Sequence, residues 1–246
     1  MFQSHETIAK RWIIPDIHGC LKTVRGLFDH YITPSKEDEL YFLGDYIDRG
    51  PDSKGVIDYL IGMQEQGFKV YFLKGNHEES AVEACRQEHE RKGFMGLRRP
   101  NTARMAWRRF GGRESMKSFG IKDLRDMPQH YIDWMACLPT HFILDKYVLV
   151  HAGLNYEAED PFSDSHSMLW LRDFGPRPER IGGRILIHGH VPLSLEEIFL
   201  MRDKPESFGH IDLDNGVYMA GREGYGNLVA LELNSMELYS QYNLDM

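Results

Sequence analysis

Cysteine is scarce in this chain and badly placed for pairing. Cys20, Cys85 and Cys137 are the only three in 246 residues, and no Cys-x-x-Cys occurs. Neither a disulfide framework nor a cysteine-built zinc site is therefore indicated, and the three read as small buried hydrophobes. Long apolar runs are missing as well: no stretch approaches the roughly eighteen uncharged residues of a membrane span. The segment Met1 to Lys10 is short and polar with no apolar h-region, so the expectation is a cytoplasmic protein without a membrane anchor. A surplus of positive charge is also lacking. The net charge of −8 argues against a nucleic-acid partner, since a phosphate backbone demands a positive surface. Repeats and low-complexity tracts are absent, and 42% hydrophobic residues suffice for one sizeable core, so 1–246 is expected to form a single domain.

What is present is a recurrent pattern of strand, acidic loop and helix. Arg11-Trp12-Ile13-Ile14 runs into Asp16-Ile17-His18-Gly19, and Leu21, Val24, Leu27 and Phe28 then recur at helical spacing. Leu40-Tyr41-Phe42-Leu43 runs into Gly44-Asp45-Tyr46-Ile47-Asp48-Arg49-Gly50, followed by a helix ending near Gly67. Val70-Tyr71-Phe72-Leu73 runs into Gly75-Asn76-His77-Glu78 and a charged helix. Three such units predict a largely parallel sheet with helices on its faces, an α/β architecture. Strand signals stop from about 79 to 138, which reads as an α-helical insertion. They resume at 140–144 and 147–150, a hairpin across Asp145-Lys146, the second strand ending in His151. A further strand, 184–187, ends in His188-Gly189-His190. The tail alternates with period two at 210–213, 228–233 and 237–240, which predicts antiparallel strands forming a second sheet.

Five strands thus end in metal-type ligands: Asp16 with His18, Asp45, Asn76, His151, and His190 with His188 beside it. A lone histidine after a strand is more often structural. Carboxylates and imidazoles converging on one sheet edge would be costly without a cation to pair them. The set has no thiolate and suits manganese, iron or zinc alike. Six ligands exceed the needs of one ion with open positions, so two divalent ions sharing a carboxylate fit better, with Asp45, in the middle of the set, as the natural bridge. Such a pair activates water at neutral pH and clamps the oxygens of a displacement at phosphorus.

The blocks Asp16-x-His18-Gly19, Gly44-Asp45-x-x-Asp48-Arg49-Gly50, Gly75-Asn76-His77-Glu78, His151-Ala152-Gly153 and Gly189-His190-x-Pro192 resemble, in order, the signature of the PPP-type metallophosphatases. Within that family the chain is most similar to the compact bacterial serine/threonine protein phosphatases. The resemblance implies the calcineurin-like fold, a two-sheet sandwich flanked by helices. It implies Asp16, His18 and Asp45 as ligands of one metal, and Asp45, Asn76, His151 and His190 as ligands of the other. It makes His77 the proton donor to the leaving group, oriented by Asp48, and Arg49 and Arg172 the phosphate-binding residues. Arginine's planar fork suits a phosphoryl group. For Arg172 the plainer reading is a surface ion pair with Asp173 or Glu179. Pro15 and Ala152 depart from glycines common in the family. His188 is left out of the ligand set, as a neighbour that could equally lie behind it. Asp212-Leu213-Asp214-Asn215-Gly216 and Gly224-Tyr225-Gly226 resemble later, weaker elements of the family.

The expected function is hydrolysis of phosphoserine or phosphothreonine in proteins, with a phosphorylated protein or small phosphoester as partner. A symmetrical dinucleotide hydrolase family shares most of these blocks, which keeps diadenosine tetraphosphate as an alternative substrate. That family commonly lacks the Asp at the place of Asp48 and has Asp where this chain has Glu78. A non-catalytic phosphate-binding adaptor is the third reading, poorly supported because every ligand and the proton donor are present. Finally, 91–125 holds eleven Lys and Arg against Glu114 and Asp123 in an otherwise acidic chain. This basic insert could steer acidic substrates to the metals, with Arg98 and Arg99 foremost, or neutralise the acidic body.

Overall fold

The computed structural model describes residues 9–90 and 100–246, with the backbone alone at Gly93, Phe94, Leu97 and Arg98. Three units open the chain: β1 (Arg11–Ile14) with α1 (Leu21–Leu27), β2 (Glu39–Phe42) with α2 (Ser53–Glu65), and β3 (Lys69–Phe72) with α3 (Asn76–Glu90). A helix between strands returns the chain to the same end, so β1, β2 and β3 pair in parallel, with Arg11 opposite Glu39 and Glu39 opposite Lys69. Both faces of this sheet are covered, and alternate residues divide between them. Trp12, Ile14, Leu40 and Phe42 enter a core against the helices, while Ile13, Tyr41 and Leu43 face the second sheet. Burial on both sides explains why the strands read as unbroken apolar runs.

The expected insertion holds α3, α4 (Thr102–Arg109), α5 (Gly112–Ser118) and α6 (Gln129–Cys137), and it also contains a short antiparallel ladder of β4 (Gly93–Phe94) with β5 (Leu97–Arg98) that the sequence pattern did not signal. The second sheet follows. Its β6 (His141–Ile143) and β7 (Tyr147–Val150) form the expected hairpin, and β8 (Ile185–His188) lies parallel to β7 after the crossover through α7 (Ser165–Trp170).

The tail differs from expectation. After α8 (Leu195–Asp203) and α9 (Pro205–Phe208), β9 (His210–Asp212) joins β8 in parallel, while β10 (Asn227–Glu232) and β11 (Glu237–Tyr242) extend the first sheet through an antiparallel pairing of β10 with β1. The orders are β11-β10-β1-β2-β3 and β6-β7-β8-β9. Period-two alternation identifies a strand but not its partner; the intervening helices send β9 back parallel, and the short turn at 233–236 folds β11 onto β10. Of the cysteines, Cys20 and Cys85 are buried and free, but Cys137 is exposed rather than the expected core residue. Among the described residues no helix is long and apolar enough to cross a membrane.

Candidate active site

Parallel strands bring their carboxyl ends to one edge, which is where all five ligand-bearing loops arrive. The loops are locked to one another through main chain. The N–H groups of Ile17 and His18 both donate to the Asp45 carbonyl, at 3.1 and 2.9 Å, and the Gly50 N–H donates to the His18 carbonyl at 2.9 Å. Gly75 must lack a side chain, since a Cβ there would lie 2.1 Å from Asp45 Oδ1. The packing holds His18, Asp45, Asp48, Arg49 and His190 at φ of 46, 52, 72, 68 and 78°, a left-handed conformation costly for residues with a Cβ. Glu78, fully buried at the start of α3, ties the middle loops together. Its carboxylate accepts N–H bonds of 2.9 Å from Asp45, Tyr46 and Gly75, and a longer one of 3.4 Å from Ile47.

The expected ligands converge with their lone pairs facing one another. His151 donates Nδ1–H to the Leu43 carbonyl at 3.0 Å, which leaves its bare Nε2 2.9 Å from Asn76 Oδ1, 3.1 Å from His190 Nδ1 and 3.5 Å from Asp45 Oδ1. His18 likewise donates Nδ1–H to the Ile47 carbonyl, and its Nε2 stands 3.6 Å from Asp45 Oδ2. The two oxygens of Asp45 are therefore shared between two ligand groups, as a bridge requires. Burial opposes the Asp45 charge, but the surrounding His151, His77, His18 and His190 hold its carboxyl far below the carboxylate range. Among the described residues Asp16 Oδ1 and His190 Nε2 are buried without a hydrogen-bond partner. So many acceptors crowded together with too few protons fit divalent cations. One detail departs from the expected partition: His77, not Asp16, falls in the tight group with His18 and Asp45, because Asp16 Oδ2 is turned to accept the His190 N–H at 3.2 Å.

His77 is fixed from behind. Its Nδ1 donates to Asp48 Oδ2 at 2.7 Å, which aims Nε2 into the cluster, 3.7 Å from Asp45 Oδ2. Burial depresses the imidazolium, yet the charges of Asp45 and Asp48 outweigh it and raise the His77 pKa. Asp48 is wholly buried and saturated: Oδ2 also accepts Trp107 Nε1–H at 2.8 Å, and Oδ1 accepts the Ser115 hydroxyl at 2.5 Å. Trp107 lies on α4 and Ser115 on α5, so the insertion reaches the site through these two side chains. At Gly111, φ 112°, a Cβ would meet the Arg49 nitrogen at 2.6 Å, so the turn between those helices presses directly on the Arg49 backbone.

Arg49 donates to His18 Nε2 at 2.9 Å and lays its guanidinium 4.0 Å over the Tyr218 ring. Arg172 is exposed just beyond α7; burial chiefly lowers the His190 pKa, His151 adds to it and the Arg172 charge contributes less, and among the described residues Arg172 pairs with neither Asp173 nor Glu179. His188 faces away from the ligands; its Nε2 meets His210 Nδ1 at 2.7 Å and its Nδ1 donates to the Gly189 carbonyl. It stays outside both ligand groups. Glu78, Trp107, Ser115 and Tyr218 were not assigned these roles from sequence. Arg91, Arg98 and Arg99 of the basic insert lie outside the residues whose side chains are described.

The sequence profile of the calcineurin-like phosphoesterases matches residues 9–223. The chain belongs to this family. The buried His and Asp groups at the strand ends suit the divalent metals of such a phosphoesterase. The chain's curated relatives point two ways. It is 33% identical over 86 residues to a symmetrical bis(5'-nucleosyl)-tetraphosphatase of Buchnera aphidicola, covering 34% of this chain and 30% of that one. It is 36% identical over 78 residues to the serine/threonine-protein phosphatase BSL2 of Arabidopsis thaliana, covering 29% and 8%. The chain therefore spans less than a third of the length of either. Among solved structures, a protein proposed to be a diadenosine tetraphosphatase superposes with a TM-score of 0.58 at 16% identity over 96% of this chain and 94% of that one. A serine/threonine phosphatase of Saccharomyces cerevisiae gives 0.59 at 13% identity over 97% and 81%. Likeness at these identities speaks for the fold alone.

Proposed function

We propose that this phosphoesterase removes phosphate from phosphoserine and phosphothreonine in cytoplasmic proteins. Asp16, His18 and Asp45 would hold one divalent ion, whether manganese, iron or zinc, and Asp45, Asn76, His151 and His190 the other. Two ions held so would acidify a water and screen the phosphoryl charge. Arg49, oriented by Tyr218 and His18, and Arg172 bind the phosphoryl oxygens as forks. His77 gives its Nε2 proton to the departing oxygen, and Asp48 stabilises the imidazolium and keeps the ring in register.

The Asp48–His77 pair, anchored by Trp107 and Ser115, is the observation that carries this reading. A serine or threonine alkoxide is a poor leaving group and needs a proton as it departs, whereas a nucleotide leaves through a phosphate oxygen that does not. A chain built to hydrolyse dinucleoside polyphosphates has little use for so heavily buttressed a proton donor. The second reading, diadenosine tetraphosphate hydrolysis, is favoured by the names of several relatives. Assaying a phosphoserine peptide and diadenosine tetraphosphate side by side, with wild type and Asp48→Asn, separates the two. The peptide should be the better substrate and the one damaged by Asp48→Asn. Faster turnover of the dinucleotide, unaffected by that change, would establish the second reading instead.

A further inference from the structure

Part of the basic insert's charge gathers around a cavity of its own. Arg104 and Arg108 from α4, Arg113 and Lys117 from α5, and Lys122 from the turn beyond line one cavity of about 470 Å³, open to solvent and floored by Met116 and Ile121. None of the expected metal ligands or phosphate-binding residues touches it. Among the described residues none of the five cations forms an ion pair. Arg104 uses Nη2 on the Lys122 carbonyl at 3.2 Å, and its buried Nε has no hydrogen-bond partner among the described residues. Five like charges around one concavity repel; Asp123, whose carboxyl feels the Arg104 charge, offsets part of that repulsion, and an anion seated in the cavity would offset the rest.

We propose that this cavity is a binding site for a phosphate-bearing polyanion of nucleotide size, separate from the catalytic centre. A lone orthophosphate is too small to engage cations arriving from three segments, and the volume falls in the roughly 300–1,000 Å³ range of small-molecule sites. The apolar floor of Met116 and Ile121 offers a place for a flat organic part beside the phosphates. A concave cluster of guanidinium forks and ammonium groups converging from three segments suits a compact ligand better than an extended phosphopeptide. The two helices forming its walls are the ones that carry Trp107 and Ser115.

Calorimetric titration of the manganese-loaded protein with tripolyphosphate and with ATP tests this. The wild type should show two classes of site. In Arg108→Glu/Lys117→Glu one class should weaken at least about tenfold while the other persists, with kcat for p-nitrophenyl phosphate unchanged. Arg108→Gln/Lys117→Gln should give the same loss if charge reversal unfolds the chain. Lys36→Glu/Arg177→Glu carries the same change of net charge outside the cavity and should leave both classes intact. A single class in wild type, or equal weakening in that control, overturns the site. A fall in kcat overturns its separateness, and a phosphopeptide that displaces tripolyphosphate where ATP does not overturns the small-ligand assignment.

Discussion

The expected ligand cradle and the proposed proton-donor pair sit within a few ångströms of each other and are built by different means. Asp16, His18, Asp45, Asn76, His151 and His190 hang from loops tied by main-chain hydrogen bonds and by the Glu78 carboxylate, all within the strand ends of the two sheets. Asp48 depends instead on side chains from elsewhere, Trp107 and Ser115 of the insertion. The cradle is therefore as rigid as the sheets, whereas the donor pair is in place only when α4 and α5 are docked. Metal binding and acid catalysis should be separable by mutation.

The sharpest break is Asp45→Asn. It should bring turnover to the buffer background and lower the bound manganese, and the rise in Tm that manganese gives the wild type should vanish, since the shared carboxylate carries the charge between two ions. Two equivalents of metal by elemental analysis and a normal rate would refute the bridge. His77→Asn should keep both ions yet lose roughly 10²–10⁴ in kcat for a phosphoserine peptide, with a smaller loss for p-nitrophenyl phosphate, whose leaving group hardly needs a proton. Equal losses on both substrates would refute the proton-donor role, and loss of metal would make His77 a ligand.

Two smaller changes test the dependence on the insertion. Gly111→Ala must shift the turn against Arg49 and should cost about 1–3 kcal/mol in denaturant titration, with KM for the peptide raised. No change in either would mean that the turn yields freely. Trp107→Phe leaves the shape and removes one donor from Asp48. It should reduce kcat for the peptide about three- to tenfold while metal content and KM hold, and an unchanged kcat would show that Ser115 and His77 suffice to place Asp48.

The same contrast decides what the sequence disclosed. Each ligand follows an apolar run and so betrays its place at a strand end; hence the cradle, the three βα units and the β6–β7 hairpin were legible. Trp107 and Ser115 touch Asp48 across 59 and 67 residues. A tryptophan amid the arginines of α4 was a visible oddity, but no periodicity says what a buried ring will reach. The partners of β9, β10 and β11 were hidden for a related reason. Alternation reports a face, and only the intervening connections choose the sheet.

Five of the seven described non-glycine residues in the left-handed region are His18, Asp45, Asp48, Arg49 and His190. Each carries a penalty of about 1 kcal/mol that glycine would escape. Heat resistance and turnover therefore pull in opposite directions at these positions. A laboratory selection that rewards survival at high temperature alone would drift towards glycine at half-buried Arg49, and would return a sturdier protein without the guanidinium proposed to bind phosphate.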